Sequence, residues 1–273
     1  MIGSTAATRL TRALLAAQLV AASISGCGTP HRAPSASGEG VITVFTAQAL
    51  QVAFTRIGDE FHTYNPFSSV QFTFGFSPYL VTQLTQGASG DVFAAGNTND
   101  MDQVARAGLL AGAPVAFASN TLAIVVAPGN PKKVASFGDL NRPDLKVAVC
   151  ATQVQEPGAG SAAGLPCGVA LDKVEQASGV RLAHATEVNR SEDVLQKVID
   201  RDVDAGVVYA SDATAGGASL TRVPFPEAAG VVVTYPIAVL KGSKNPELAR
   251  KFIDMVTSQP GQAILDDCGF AAP

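Results

Sequence analysis

Hydrophobic residues along this chain form short runs that alternate with stretches of helical apolar spacing. In the first half, the runs typical of strands are residues 41–45, 70–74 and 91–95. Helical spacing follows each run, at residues 50–62, from residue 78 onward and at residues 100–107. Strands that alternate with helices predict parallel βαβ units, and therefore an open α/β sheet.

The second half of the chain continues this alternation. We predict strands at residues 120–127, 145–151, 180–188, 204–209 and 230–241. We predict helices at residues 136–142, 167–178, 191–199, 246–256 and 260–266. The long apolar strands 120–127 and 230–241 are placed to cross between two halves of the protein. The sequence therefore predicts two lobes, with residues 41–120 and 233–273 in lobe 1 and residues 121–232 in lobe 2.

The start of one predicted helix has the features of an anion site. Ser77 stands at the N-cap position and Pro78 at the first helical position, directly after a predicted strand. A helix N-terminus presents unpaired backbone N–H groups and partial positive charge, and the Ser77 hydroxyl adds a donor. If this helix opens into a cleft, it is suited to bind an anion. The alternative is an ordinary capped helix at a strand–helix turn.

The N-terminal region is typical of an exported lipoprotein. Two arginines precede an apolar stretch, residues 14–24, that is too short to span a bilayer. Small residues then lead to Cys27, an order that resembles the bacterial lipobox, in which the cysteine is lipidated. We expect a signal peptide at residues 1–26, a lipid on Cys27, and a flexible Gly-, Pro- and Ser-rich tether across residues 27–40. The alternative is a plain secretory signal that contains a cysteine.

Composition and motif content argue against several functions. The chain has 273 residues, a net charge of -4 and a pI of about 5.4, so no basic surface for nucleic acid is expected. Its three histidines, His31, His62 and His184, do not suggest a metal site with four ligands. The chain lacks a Gly-x-Ser-x-Gly elbow. We expect no catalysis, and a serine hydrolase that uses His62 or His184 is the alternative.

Three cysteines remain in addition to Cys27. They are Cys150, Cys167 and Cys268. Because an exported chain meets an oxidising compartment, a disulfide is expected. Cys150 ends a predicted strand and Cys167 begins a predicted helix, with a Gly- and Ala-rich insertion at residues 155–165 between them. We predict that these two cysteines pair and that Cys268 stays free; the alternative is three buried free thiols.

Short motifs along the chain together resemble the molybdate-binding lipoproteins of ABC-type importers. They include Val44-Phe45-Thr46-Ala47-Gln48-Ala49-Leu50, Phe74-Gly75-Phe76-Ser77-Pro78-Tyr79-Leu80, Gln86-Gly87-Ala88-Ser89-Gly90, Pro166-Cys167-Gly168, residues 205–212 and Tyr235-Pro236-Ile237-Ala238-Val239. No single motif is specific. Their order along most of residues 41–273 carries the resemblance.

This resemblance implies an α/β fold of the two-lobed, type II-like periplasmic-binding-protein architecture, with a ligand cleft between the lobes. Members of the family hold molybdate or tungstate with neutral donors, which are hydroxyl groups and backbone N–H groups at helix starts. That donor set suits the ligand, because a fully deprotonated dianion needs donors and no acceptor. The resemblance implies no cofactor and no metal beyond the bound oxyanion.

Carried over position by position, the resemblance implies five ligand-binding residues. They are Ala49, Ser77, Cys167, Ser191 and Tyr209. Ser77 and Tyr209 match hydroxyl donors of the family, and Cys167 and Ser191 match positions that donate a backbone N–H. Ala49 stands where the family has a serine, so one hydroxyl is missing. The Ala49 backbone N–H remains, and the side chains of Gln48 and Thr46 are the candidates to compensate for the hydroxyl. Losing one charge-assisted hydrogen bond typically costs about 1.5–3 kcal/mol.

The resemblance implies the substrate-binding component of an ABC importer. Such a protein is anchored outside the membrane through the lipid on Cys27, works as a monomer and delivers its anion to a membrane permease. Two alternatives stay open: a binding protein for another oxyanion such as sulfate or phosphate, and a lipoprotein with an enzymatic or adhesive role. Phosphate keeps a proton near neutral pH and favours an acceptor carboxylate, and none of the five matched positions is acidic.

Overall fold

Two five-stranded sheets, each covered by helices, form the two lobes of the protein. The structure is a computed structural model, and it describes residues 40–153 and 165–273. The expected signal peptide, the lipid-bearing Cys27, the tether before residue 40 and nearly all of the expected insertion lie outside the described residues. Within the two described ranges, no helix combines the length and apolar character that crossing a membrane requires.

Ten strands and eight α-helices make up the described chain. The strands are β1 (Gly40–Ala47), β2 (Ser68–Gly75), β3 (Val92–Ala94), β4 (Val115–Asn120), β5 (Leu122–Val126), β6 (Val147–Cys150), β7 (Thr186–Val188), β8 (Ala205–Tyr209), β9 (Thr221–Val223) and β10 (Val233–Val239). The helices are α1 (Gln51–Tyr64), α2 (Ser77–Thr85), α3 (Thr98–Arg106), α4 (Pro166–Ser178), α5 (Ser191–Ile199), α6 (Ala210–Gly216), α7 (Pro246–Thr257) and α8 (Gln259–Asp267). Short 3-10 helices cover Gln48–Leu50, Gly138–Asn141, Gly217–Ser219 and Pro226–Gly230.

Each sheet has three neighbouring parallel strands and a fourth strand that runs against them. The fifth strand pairs antiparallel with the fourth and therefore runs in the same direction as the first three. The first sheet has the order β2-β1-β3-β10-β4, and the second has the order β7-β6-β8-β5-β9. In the first sheet β1 pairs in parallel with β2 and β3, and in the second β6 pairs in parallel with β7 and β8. The carboxyl ends of each parallel set therefore meet at one edge of their sheet. Open α/β sheets bind ligands at that edge.

Separate hydrophobic cores support the two lobes. In the first lobe, Phe252 of α7 lies between two phenylalanines of α1, with ring centroids 6.0 Å from Phe54 and 5.5 Å from Phe61. The C-terminal helices thus pack against the first helix of the described chain. In the second lobe, Val194 and Val198 of α5 are fully buried with the apolar residues of β5, β6 and β8. Their spacing of four residues places both on one face of the helix.

Two connections join the lobes. Thr121 alone separates β4 of the first sheet from β5 of the second, and the chain returns to the first sheet at β10. Beside the first connection, the buried Asn120 side-chain Nδ2 donates to the Ser211 hydroxyl at 2.9 Å. This bond joins the end of the first sheet to α6 of the second lobe. The strand predicted at residues 120–127 is present as β5 (Leu122–Val126), and its first residue, Asn120, ends β4 of the other sheet.

The prediction of a strand at residues 180–188 is wrong for most of its length, since only Thr186–Val188 is a strand. Two side chains of α4 accept hydrogen bonds from backbone N–H groups that a strand would have used to pair with its neighbour. The Val180 N–H donates to the Ser178 hydroxyl at 3.2 Å, and the Leu182 N–H donates to the Glu175 carboxylate at 2.9 Å. By contrast, the helix predicted at residues 191–199 is present with the same bounds.

Candidate functional site

The carboxyl edges of both sheets border one cleft of about 250 Å³. The first lobe contributes residues that directly follow β1, β2 and β3. The second lobe contributes the start of α4 and residues that follow β7 and β8. The five residues implied by the resemblance all border this cleft: Ala49, Ser77, Cys167, Ser191 and Tyr209.

Ser77 begins α2, and its side chain is buried at the cleft wall. The hydroxyl oxygen accepts the Gly96 backbone N–H at 3.1 Å, and the hydroxyl also hydrogen-bonds the buried carboxyl group of Asp100. Our prediction that Ser77 is the N-cap is wrong, because Phe76 holds that position and no side chain caps α2. The hydroxyl bonds a loop 19 residues away instead. No side chain therefore occupies the end of α2, where the first N–H groups face outward.

Ser191 repeats this arrangement in the second lobe. It begins α5, and its hydroxyl oxygen accepts the Tyr209 backbone N–H at 2.9 Å. The same hydroxyl hydrogen-bonds the Asp212 carboxyl group. In each lobe, a serine at a helix start thus binds an N–H near the end of the next strand and an aspartate in the first turn of the next helix.

The start of α4 is fixed tightly against the end of β6. Cys167 forms a disulfide with Cys150, the last residue of β6. At Gly168, a Cβ atom would lie 1.9 Å from the carbonyl oxygen of Ala151, so only glycine fits there. Pro166 occupies the first helical position, and Cys167 follows with a backbone N–H that has no acceptor within its own helix. Cys268 forms no disulfide in the described chain and is half-buried.

The missing hydroxyl at Ala49 has no obvious substitute nearby. Ala49 lies in the 3-10 helix after β1 and presents only a methyl group and its backbone to the cleft. The neighbouring Gln48 also borders the cleft, and its side-chain amide donates to the Gln51 side chain. The Thr46 hydroxyl is fully buried, does not border the cleft, and has no hydrogen-bond partner among the described groups.

Tyr209 ends β8 and carries an unsatisfied polar group into the site. Its side chain is buried, and its hydroxyl has no hydrogen-bond partner within residues 40–153 and 165–273. Burial above all, and then the nearby Tyr235, Asp212 and Glu192, raise the pKa of the Tyr209 hydroxyl well above its usual value. The hydroxyl therefore keeps its proton at neutral pH. A buried hydroxyl without a partner points to a ligand or water that completes its bonding.

Three charged residues also border the cleft, and the sequence analysis did not predict them. Arg190 is exposed, and its guanidinium binds both carboxylate oxygens of Asp193, at 2.6 and 3.1 Å. Asp212 and Glu192 are half-buried. Burial above all, together with the nearby Glu192, raises the pKa of Asp212 to about 6, although hydrogen bonds from the Ser191 hydroxyl and the Tyr209 N–H lower it.

Local sequence could have pointed to two of these residues. Asp212 lies three positions after Tyr209, at the exit of a predicted strand, and Glu192 directly follows Ser191 at a predicted helix start. Tyr235 of β10 borders the cleft as well, and burial above all raises the pKa of its hydroxyl far above the usual value. The sequence analysis assigned Tyr235 to the strand that returns to lobe 1, but it did not predict that this residue borders the cleft.

The site is rich in neutral donors. Hydroxyl groups of Ser77, Ser191 and Tyr209 and the N–H groups at three helix starts converge on the cleft. Among the described residues of the cleft wall, the only cation is Arg190, and it is already paired. Helix N-termini and protonated hydroxyls stabilise an anion without a cationic side chain. The geometry therefore suits an oxygen-rich anion of small size.

A two-lobed α/β fold with a polar cleft between its sheets is typical of proteins that capture small solutes. Residues 42–271 match the family of bacterial extracellular solute-binding proteins, and the chain belongs to that family. The family is a class of binding proteins rather than of enzymes, and its members work outside the cytoplasm.

The similar proteins include several that bind oxyanions. The chain is 49% identical over 268 residues to the molybdate-binding protein ModA of Mycobacterium tuberculosis, and the match covers 97% of each chain.

Two solved structures share the fold at low identity. One is the substrate binding domain of a molybdenum ABC transporter from Clostridium difficile, with a TM-score of 0.72, 22% identity, and coverage of 86% of this chain and 100% of that chain. The other is the sulfate-binding protein SubI of M. tuberculosis, with a TM-score of 0.69, 16% identity, and coverage of 86% and 87%. At such identities these structures establish the fold alone.

Proposed function

We propose that the protein is the substrate-binding component of an ABC importer and that it captures molybdate or tungstate outside the cytoplasmic membrane. One observation carries the proposal. The five residues that the resemblance implied come from both lobes and border a single cleft, in which the Tyr209 hydroxyl is buried without a partner. The identity of 49% to a molybdate-binding protein over nearly the whole chain supports the same ligand.

In this proposal the anion is held by a neutral cage. Ser77 and the start of α2 donate from lobe 1, whereas Cys167, Ser191 and Tyr209 donate from lobe 2. With lobe 1 at residues 41–120 and 233–273, and lobe 2 at residues 121–232, the hinge lies at the two connections near Thr121 and Val233. Closure about that hinge brings the two sets of donors onto one anion. No chemical step is involved, so no catalysis is proposed.

We further propose that a lipid on Cys27 anchors the protein and that a membrane permease receives the anion. Cys27 lies outside the described residues, and the proposal rests on its sequence context. From Cys27 to Gly40 an extended chain spans at most about 45 Å, because each residue adds about 3.3–3.6 Å. A tether of that reach keeps the cleft near the membrane. Because one chain supplies donors from both sides of the cleft, a monomer suffices.

A different oxyanion is the second candidate. Asp212 and Glu192 border the cleft, so an acceptor for the proton of phosphate is present that the five matched positions do not include. SubI, which shares the fold, is a sulfate-binding protein. The test must therefore compare oxyanions rather than examine molybdate alone.

Isothermal calorimetry with molybdate, tungstate, sulfate and phosphate tests the proposal. We expect the first two to bind. In a thermal-shift measurement, either of these ligands at 100 times its dissociation constant should raise the free energy of unfolding by about 2.7 kcal/mol. Tyr209→Phe should weaken binding by roughly tenfold or more, because it removes one donor to a charged ligand. Tyr79→Phe is the matched control, since Tyr79 is 65% exposed and lies outside the cleft wall. Preference for sulfate or phosphate, or no binding of any oxyanion, would overturn the proposal.

A further inference from the structure

Ser191 has one hydroxyl proton and two neighbours that can take it. Its oxygen already accepts the Tyr209 N–H at 2.9 Å, so the oxygen is oriented by the backbone. Its proton can go to the Asp212 carboxylate, to which the hydroxyl is hydrogen-bonded, or to an anion in the cleft. A hydroxyl proton makes one strong hydrogen bond at a time. An ionised Asp212 therefore competes with the anion for this donor.

A proton on Asp212 removes this competition. The neutral carboxyl group can donate its own O–H to the Ser191 oxygen, and the Ser191 proton is then available to the anion. The same proton also removes a negative charge from the cleft wall. Two like charges in a partly buried site repel each other strongly, so the neutral carboxyl favours a bound dianion.

Among the described residues around Asp212, no cation pairs with its carboxyl group and holds it ionised. The ionisable groups nearest to it come from three elements: Glu192 of α5, Tyr209 of β8 and Tyr235 of β10. Across a neighbouring groove, the first lobe presents Arg56, Asp267 and Cys268, and Arg56 is paired with Asp267 at 2.9 Å. Arg190 is paired with Asp193, and Arg222 of β9 donates to the Ala210 carbonyl oxygen and the Thr214 hydroxyl. Among the described residues, no ion pair involves Asp212.

We propose that Asp212 is a proton-linked positioning residue of the anion site, so that binding of a doubly charged oxyanion is accompanied by uptake of one proton at its carboxyl group. This inference rests on the proposed function of the cleft. The proton comes from solvent and bonds to a carboxylate oxygen, and no other bond forms or breaks. The consequence is an importer component that holds its anion more tightly in mildly acidic surroundings and releases it more readily as the pH rises.

The pKa of Asp212 in the free protein, about 6, sets the expected range of the effect. Below that pH the carboxyl group is already neutral, and the affinity should be constant. Above pH 6, Asp212 must take up a proton from solvent each time a dianion binds. The affinity should therefore fall by up to about tenfold per pH unit. Between about pH 6.5 and pH 7.5 we expect a fall of roughly eightfold.

Calorimetry of the full-length protein with molybdate, from about pH 6 to pH 8.5, provides the test. At pH 7 it is repeated in buffers of different ionisation enthalpy, which measures proton uptake directly. We expect uptake of close to one proton in the unmodified protein. Asp212→Asn should bind with an affinity that changes less than twofold over this range and should take up no proton. Asp200→Asn, an exposed aspartate at the far end of α5, should behave as the unmodified protein does.

Each outcome bears on one claim. If molybdate binds with no proton uptake and with a pH-independent affinity, the role of Asp212 is overturned and the proposed function stands. If uptake persists in Asp212→Asn but disappears in Glu192→Gln, the linked group is Glu192 and the inference is wrong. Proton uptake is measured on the unmodified protein, so the test remains valid even if Asp212→Asn fails to fold. Asp212→Ser provides a second variant with a neutral side chain. If no oxyanion binds at any pH, the proposed function itself fails.

Discussion

The Ser191 hydroxyl accepts the backbone N–H of Tyr209 at 2.9 Å, which ties two residues of the second lobe together at the cleft. The first lobe contains the same bond, from the Gly96 N–H to the Ser77 hydroxyl at 3.1 Å. In each case the backbone N–H bonds the hydroxyl oxygen and so fixes the position of the serine side chain before a ligand arrives. Donors fixed in this way lose little freedom on binding.

Replacing either serine should weaken the site. Ser77→Ala and Ser191→Ala each remove one hydroxyl donor to a charged ligand, which typically costs about 1.5–3 kcal/mol. We therefore expect molybdate affinity to fall by roughly ten- to hundredfold in each variant, as measured by calorimetry. Ser89→Ala, an exposed serine in a loop, is the matched control and should leave the affinity unchanged. If both variants bind molybdate with affinities within twofold of the unmodified protein, these hydroxyls do not donate to the anion.

Restoring a hydroxyl at position 49 should strengthen the site. Ala49 borders the cleft with only a methyl group, at the position where the family resemblance implies a serine. Ala49→Ser adds a donor whose net contribution is about 0.5–1.5 kcal/mol, which corresponds to a roughly two- to tenfold gain in affinity. Titration of this variant against Ala113→Ser, an exposed alanine outside the cleft wall, measures the gain. Weaker binding by Ala49→Ser would show that the cleft has adapted to the smaller side chain.

Gly168 should be essential to the position of the Cys167 N–H. A Cβ atom there would lie 1.9 Å from the Ala151 carbonyl oxygen, which is backbone and cannot rotate away. Gly168→Ala must therefore push α4 away from β6, with an expected loss of about 1–3 kcal/mol in the free energy of unfolding. Binding by the folded fraction should also weaken. Gly112→Ala, with no atom within 4 Å of its new Cβ, is the control for urea unfolding and titration. Equal behaviour of the two variants would contradict this account.

Asp91 should stabilise the first lobe in a pH-dependent manner. Burial alone would raise its pKa, but hydrogen bonds from the Ser243 hydroxyl and from the N–H groups of Thr43, Asn245 and Lys244 outweigh it and lower the pKa. A lowered pKa means that the carboxylate stabilises the fold fully above its unfolded pKa of about 3.9, and that this contribution is lost as the pH falls through the folded pKa.

Asp91→Asn tests this linkage by urea unfolding at two pH values. At pH 7 we expect the variant to be less stable by about 1–3 kcal/mol, because it loses an ionised acceptor of several N–H and O–H groups. Below about pH 4 the difference from the unmodified protein should narrow. Asp59→Asn, at an exposed position of α1, serves as the control. A difference that stays constant with pH would mean that charge is not the source of the stabilisation.

Elements with a strong local pattern were predictable from the sequence. The helix Ser191–Ile199 was predicted with its bounds because Val194 and Val198 repeat at helical spacing and acidic residues occupy its first turn. The strand predicted near residue 186 was too long, because the partners of the Val180 and Leu182 N–H groups are side chains of α4. β-branched composition does not reveal such partners, and tertiary contacts decided the outcome.

The site residues were reached through a family resemblance, and the structure adds what that resemblance omitted. The role of Ser77 as a cap was a local inference, and it failed because the hydroxyl bonds Gly96 in a distant loop. The only signal of Asp212 in the sequence is its position at the exit of a predicted strand. Asp212 matters because β8 and α6 bring its carboxyl group beside Ser191, whereas the nearby Arg190 and Arg56 pair with other carboxylates. Such relations between elements become visible only once the chain is folded.

A crystal structure of the protein with bound molybdate would test the neutral cage most directly. The account predicts one anion in the cleft between the lobes. Its oxygen atoms should lie within about 2.6–3.2 Å of the hydroxyls of Ser77 and Tyr209 and of the N–H groups at the starts of α4 and α5. Arg190 should stay paired with Asp193. An anion bound by the Arg190 guanidinium, or one that contacts a single lobe in a closed molecule, would contradict it.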